Sequence, residues 1–205
     1  RMDRPEWIVV SPTDGQVYCT LTNNAKRGEE GQPVGGPNPR EKNVYGQILR
    51  WKADADNHGA TDFTWDLFVV AGNPGVHAGN PKGGSSNINP QNMFNSPDGL
   101  GFDKAGRLWI LTDGDYSNAG DFAGMGNNQM LCADPSTGEI RRFMVGPVAC
   151  EVTGISFSPD QKTLFVGIQH PGETGGSTWP EHLPNGKPRS SVMAIRRDDG
   201  GIVGA

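Results

Sequence analysis

One arrangement of residues is spelled three times along the chain, and it constrains the fold more than any other feature. It is a short run of alternating bulky residues, a tight turn rich in Ser, Pro, Asp and Gly, and a second such run, the signature of a β-hairpin. The first copy is Arg4-Pro5-Glu6-Trp7-Ile8-Val9-Val10, the turn Ser11-Pro12-Thr13-Asp14-Gly15, then Val17-Tyr18-Cys19-Thr20-Leu21-Thr22. The second runs from Asn95-Ser96-Pro97-Asp98-Gly99-Leu100-Gly101-Phe102 through Asp103 and Gly106 to Leu108-Trp109-Ile110-Leu111-Thr112. The third is Cys150-Glu151-Val152-Thr153-Gly154-Ile155-Ser156-Phe157, the turn Ser158-Pro159-Asp160, then Thr163-Leu164-Phe165-Val166-Gly167-Ile168.

Further strand-like runs come after each hairpin. Gly46–Trp51 and Phe63–Ala71 complete the first unit, and Gln129–Asp134 with Glu139–Val145 complete the second. In the third only Ser191–Arg197 remains, and Ile202–Ala205 leaves room for a stub at most. Polar Gly- and Pro-rich excursions at 23–44, 72–94 and 170–189 are loops. The first two stretch the spacing to 92 residues from Val10 to Phe102, against 55 from there to Phe157. Serial four-stranded units are propeller blades, here expected at about 4–71, 95–146 and 150–205, in an all-β chain. Ala119–Met125 offers one helical turn and nothing more.

A propeller closes with about four to eight blades, so three blades read as the C-terminal half of a β-propeller. The chain opens on Arg1 rather than Met, which is consistent with an upstream piece. Blade faces and strand edges left open by such a half invite self-association, so the 205-residue piece is expected to be a homo-oligomer.

Composition excludes several function classes. The 30 Gly and 16 Pro suit a turn-rich β protein, and a net charge of −5 without a Lys/Arg stripe leaves no electrostatic footprint for nucleic acid. No apolar run approaches the ~18 residues of a membrane span. G-x-S-x-G, Walker A and C-x-x-C patterns are absent, which disfavours serine hydrolases, NTPases and zinc ribbons. Of three cysteines, an odd number, Cys19 and Cys132 sit in strand-like runs and read as core fillers. Cys150, next to Glu151, also leaves a metal-ligand or redox role open.

Aligning Val10, Phe102 and Phe157 puts Glu6 and Asp98 four residues earlier and Glu151 six earlier. With a side-chain period of two, the three carboxylates face the same way at one end of equivalent strands. Acids gathered from neighbouring blades repel unless cations neutralise them, and oxygen donors suit hard ions such as calcium, magnesium or ferric iron. Each could instead be a strand-start residue bonding amides or solvent. Arg4, on the face of Glu6, has the planar fork that grips a phosphoryl group, or it pairs with Glu6 or Asp98 as plain structure. Weaker candidates are Asn23 and Asn24, the His170-Pro171-Gly172-Glu173 turn, and Asp113, Asp115, Asn118 and Asp121, which have a calcium-loop flavour without EF-hand spacing. His58, His77 and His182 lie in loops without a partner at metal spacing.

The runs DRPEWIVVSPTDGQVYCTLTNN, NSPDGLGFDKAGRLWILTDG, CEVTGISFSPDQKTLFVGIQHPGE and PRSSVMAIRRDDGG together resemble the C-terminal half of the PhoX family of alkaline phosphatases. The resemblance implies a six-bladed propeller, a calcium- and iron (Fe3+)-dependent cluster on its axis, and hydrolysis of phosphate esters by periplasmic or secreted enzymes exported folded. It implies phosphate binding by Arg4 and metal ligation by Glu6 and Asp98, with Glu151 matched by register and motif. Other ligands, including a cysteine to iron, would lie in the absent N-terminal half, so the piece alone is expected to be inactive and to bind metal poorly. Competing readings are a propeller lactonase or esterase using one calcium ion, against which Arg4 argues, and a non-enzymatic interaction propeller.

Overall fold

A computed structural model describes all residues, 1–205, as eleven strands and three single-turn 3-10 helices. Strands β1 (Pro5–Val10), β2 (Val17–Leu21), β3 (Gln47–Ala53) and β4 (Phe63–Val70) form one antiparallel meander. Strands β5 (Pro97–Phe102), β6 (Leu108–Thr112), β7 (Gln129–Ala133) and β8 (Ile140–Val145) form a second. The third has only β9 (Glu151–Phe157), β10 (Leu164–Gln169) and β11 (Ser191–Ile195), so the blades hold four, four and three strands. The first strands β1, β5 and β9 lie side by side, which is how propeller blades meet at their axis. No helix is long and apolar enough to cross a membrane.

The hairpins form where the turn chemistry demands. Between β5 and β6, Gly106 takes a φ of +82°, which suits a residue without Cβ. Asp103 closes that turn: Oδ1 accepts the amides of Ala105 and Arg107 at 2.9 and 3.0 Å, while Oδ2 accepts Arg107 Nε at 2.7 Å and Trp109 Nε1 at 3.1 Å.

Two apolar cores lie between the three sheets. Tyr18, Ile48 and Phe68 of the first blade meet Leu100, Leu108 and Ile110 of the second, joined by Tyr45 and Phe94 from the connections. Trp109, Leu111 and Met130 of the second blade meet Val152, Leu164, Val166 and Ile168 of the third. Strand β6 is buried on both faces and sends alternate residues into the two cores. The last residues do not form a strand stub. They turn back so that the Val203 amide bonds Gln161 O at 3.0 Å, and the Val203 side chain enters the second core beside Trp109. The outward face of the first blade stays open, with Val10, Val17, Trp51 and Trp65 paired in register and Ile8 59% and Trp65 45% exposed.

Each of the three inner strands carries one β-bulge. In β1 and β5 it falls between Pro5 and Ile8 and between Pro97 and Leu100, so Glu6 and Asp98 sit inside it. In β9 it falls at Gly154, φ +56°, and Glu151 lies beyond it, opposite Gln169. Strict alternation therefore fails along every one of these strands, because an inserted residue reverses the facing of every residue after it. Glu6 and Asp98 share the same place in their bulges, and Glu151 lies past its own.

Candidate active site at the inner rim

Arg4 stands at the start of β1 with a φ of +41°, an unusual conformation for a non-glycine residue. Its guanidinium reaches Asn23 Oδ1 at 3.3 Å through Nη1 and Glu6 Oε1 at 3.4 Å through Nη2, and its side chain is 53% exposed. Both contacts are long for a charged donor. Asn23 in turn donates from Nδ2 to Ser96 Oγ at 3.0 Å, tying the first blade to the second just ahead of Asp98. Asn24 instead shapes its own loop, accepting the Lys26 amide at 3.0 Å and donating to Gln32 Oε1 at 2.7 Å.

Asp98 is partly buried, and its carboxyl is pushed up to about 6. Burial is the main cause, followed by the negative charges of Glu6, Glu151 and Asp113, with Arg4 opposing them. Glu151 is also raised, by burial and then by Asp113. It accepts Gln169 Nε2 at 2.7 Å and lies 3.4 Å from His170 Nε2. His170 Nδ1 comes to 3.5 Å of Glu173 Oε2 without making a hydrogen bond. Arg4, Glu6, Asp98 and Glu151 therefore share one electrostatic field at one rim. They do not close into a coordination sphere, since no three His, Cys, Asp or Glu side chains of this chain come near enough to hold a metal ion by themselves.

Asp113 belongs to this rim and not to a calcium loop. It too is raised, mainly by burial, while His170 and Arg4 pull it down and Glu173 and Glu6 push it up. The other residues of that expected loop are scattered: Asp115 Oδ1 accepts the Ser117 amide at 2.7 Å, and Asn118 Oδ1 accepts Gly126 N at 3.2 Å. Asp121 pairs with His77 Nε2 at 2.9 Å and Lys82 Nζ at 3.5 Å, so His77 does have a carboxylate partner. The sequence does hold a signal for Asp113. Each second strand exits into a polar residue, Asn23 after β2, Asp113 after β6 and His170 after β10, and these exits meet the starts of the first strands.

The cysteines are packed in the interior. Cys150 is buried in the second core with its thiol pushed up to about 12, and Cys132 is pushed up to about 11, both mainly by burial. Cys19 is buried and raised as well.

Three bladed sheets whose inner strands bring carboxylates and an arginine, and whose second strand adds an amide, to a common rim define a β-propeller of the kind that presents oxygen donors and a guanidinium together. The chain belongs to the PhoX family of alkaline phosphatases, whose family model matches residues 1–172. It is similar to the PhoX of Pseudomonas fluorescens, solved in complex with vanadate, a transition state analogue, with 89% identity and a TM-score of 0.99. That match covers 100% of this chain and 35% of the other, so the chain spans about a third of that protein. Fainter likenesses are to an endo-1,5-alpha-L-arabinanase of Thermotoga petrophila (19% identity, TM-score 0.41, covering 80% of this chain and 32% of that one) and a gluconolactonase of Xanthomonas campestris (14%, 0.38, covering 97% and 61%). No curated protein matches the chain.

Proposed function

We propose that residues 1–205 supply one side of the active site of a metal-dependent phosphatase that hydrolyses phosphate esters, calcium and ferric iron being its cations. The observation that carries this reading is Asp98, whose charge is opposed by three neighbouring carboxylates and favoured by Arg4. Added positive charge at such a rim would favour the ionised carboxylates that burial and mutual repulsion oppose. The donors fit hard ions, since they are carboxylate and amide oxygens.

Glu6 and Asp98 would hold the cations, with Glu151 and Asp113 adding negative charge around them. Bound there, the metal supplies Lewis-acid polarisation of the phosphoryl oxygens. Arg4, exposed and only loosely engaged by Glu6 and Asn23, turns its fork to two equatorial oxygens as negative charge spreads over them. Vanadate bound to the Pseudomonas relative fits the same demand for an oxyanion site. Water adds to phosphorus, the ester P–O bond breaks, and the alcohol leaves with a proton. Ser96, the hydroxyl nearest Asn23, is buried and bonded to Asn95 Oδ1 at 2.9 Å and to Asn23, so it is not presented as a nucleophile.

The remaining ligands and blades of a six-bladed ring would come from chain outside residues 1–205, in a periplasmic or secreted protein. The isolated piece would be inactive and would self-associate through the open face bearing Ile8, Val10 and Trp65. A panel of phosphate monoesters, phosphate diesters and lactones tests the activity on the full-length protein supplied with calcium and iron. Turnover of phosphate esters is expected, and turnover of lactones alone would overturn the reading.

A further inference from the structure

The bulges of β1 and β5 leave backbone groups outside the strand ladders beside the two principal candidate ligands. One side chain serves both. Thr20 of β2 is wholly buried, and its Oγ1 accepts the amide of Trp7, the residue after Glu6, at 2.9 Å. The same hydroxyl donates its single proton to the carbonyl of Asp98, in the next blade, at 2.7 Å. Its approach to Trp7 O is looser, at 3.4 Å. A hydroxyl has one proton to give and lone pairs to receive, so the two short bonds are compatible.

Each is made to main chain, at or next to the residue that carries a rim carboxylate. Glu6 and Asp98 belong to different sheets, so the strand ladders set no distance between them. We propose that Thr20 is a positioning residue. By clamping the bulge of β1 to the bulge of β5, it sets the separation of the Glu6 and Asp98 carboxylates and with it the affinity of the rim for a divalent cation. The inference rests on the metal-dependent reading above for its consequence, but not for its geometry.

Valine has the shape of threonine without the hydroxyl, and serine keeps the hydroxyl without the methyl. In the full-length protein, Thr20→Val is expected to weaken calcium binding roughly tenfold, the range seen when a ligand's supporting hydrogen bond is removed, with Thr20→Ser within about twofold of wild type. Ile110→Val, a small cavity in the adjoining core, controls for lost stability and should leave calcium affinity unchanged. Crystal structures of the chelated proteins give the second readout: the Glu6 to Asp98 separation should change in Thr20→Val and hold in Thr20→Ser. Wild-type protein that takes up no calcium would sink the metal reading while leaving this structural comparison decisive for the clamp. An unchanged separation in Thr20→Val, or a serine variant as impaired as the valine one, would overturn the role of Thr20.

Discussion

Two arginine–carboxylate pairs begin at adjacent residues, and they differ in every respect that matters. Asp3 is 0% exposed and its partner Arg27 2%, with the charges 2.6 Å apart. Asp3 Oδ1 accepts Arg27 Nε at 2.8 Å, and Oδ2 accepts Asn43 Nδ2 at 2.9 Å. Arg27 also donates to Pro33 O and Arg1 O, at 3.1 and 2.8 Å. Arg4 and Glu6, one and three residues beyond Asp3, are open to solvent and 3.4 Å apart. A charge that holds the chain together has its hydrogen-bonding capacity filled by the protein. One left for a ligand keeps its capacity in reserve, and the left-handed backbone of Arg4 sits at the junction between the two kinds.

That contrast can be broken in order of expected effect. Arg27→Met strands the Asp3 charge in the interior and should cost about 3–5 kcal/mol of stability, read from denaturant midpoints of the full-length protein. A loss comparable to a surface substitution would erase the distinction. Arg4→Ala should lower kcat/KM for a phosphate monoester about 100- to 1000-fold, near 3 kcal/mol of transition-state binding, while moving stability by less than about 0.5 kcal/mol. Equal damage to stability would make Arg4 another structural arginine.

Asp98→Asn sharpens the comparison from the other side. The folded carboxyl sits at about 6 against an ordinary 3.8, so its favourable contribution is present below pH 4 and disappears as pH rises through 6. In cation-free protein the amide should therefore stabilise the fold by about 1–2 kcal/mol above pH 7, and the gain should fade towards pH 4. Thermal melts at both ends of that window, with chelator present, check the sign; a variant less stable than wild type at pH 8 would contradict it. Smallest of all, Glu139→Gln breaks the exposed pair with Arg141 and should cost under about 0.5 kcal/mol in the same melts.

The hairpins and their threefold repetition are legible in the sequence because turn chemistry and alternation are local. Arg4, Glu6, Asp98 and Glu151 stand out through that repetition, although the alternation that orients them is interrupted in each strand. Glu6 and Asp98 occupy equivalent bulges while Glu151 lies past its own, a difference that alternation in the sequence does not display. Asp113 is easily misread because its neighbours Asp115 and Asn118 imitate a cation loop, whereas its position depends on where β6 ends. Contacts such as Asp3 with Arg27, His77 with Asp121, and Val203 beside Trp109 join segments with no shared periodicity, so no window of sequence displays them.

Strand β6 also governs how damage would travel through the molecule. Leu108 and Ile110 answer to one packing interface, Trp109 and Leu111 to the other, and the two apolar clusters are otherwise distinct. Strand β7 does the same, with Leu131 and Ala133 in one cluster and Met130 and Cys132 at the other, so a defect in either outer sheet reaches the opposite one by tilting these two ribbons, which makes the middle sheet the arbiter of cooperativity.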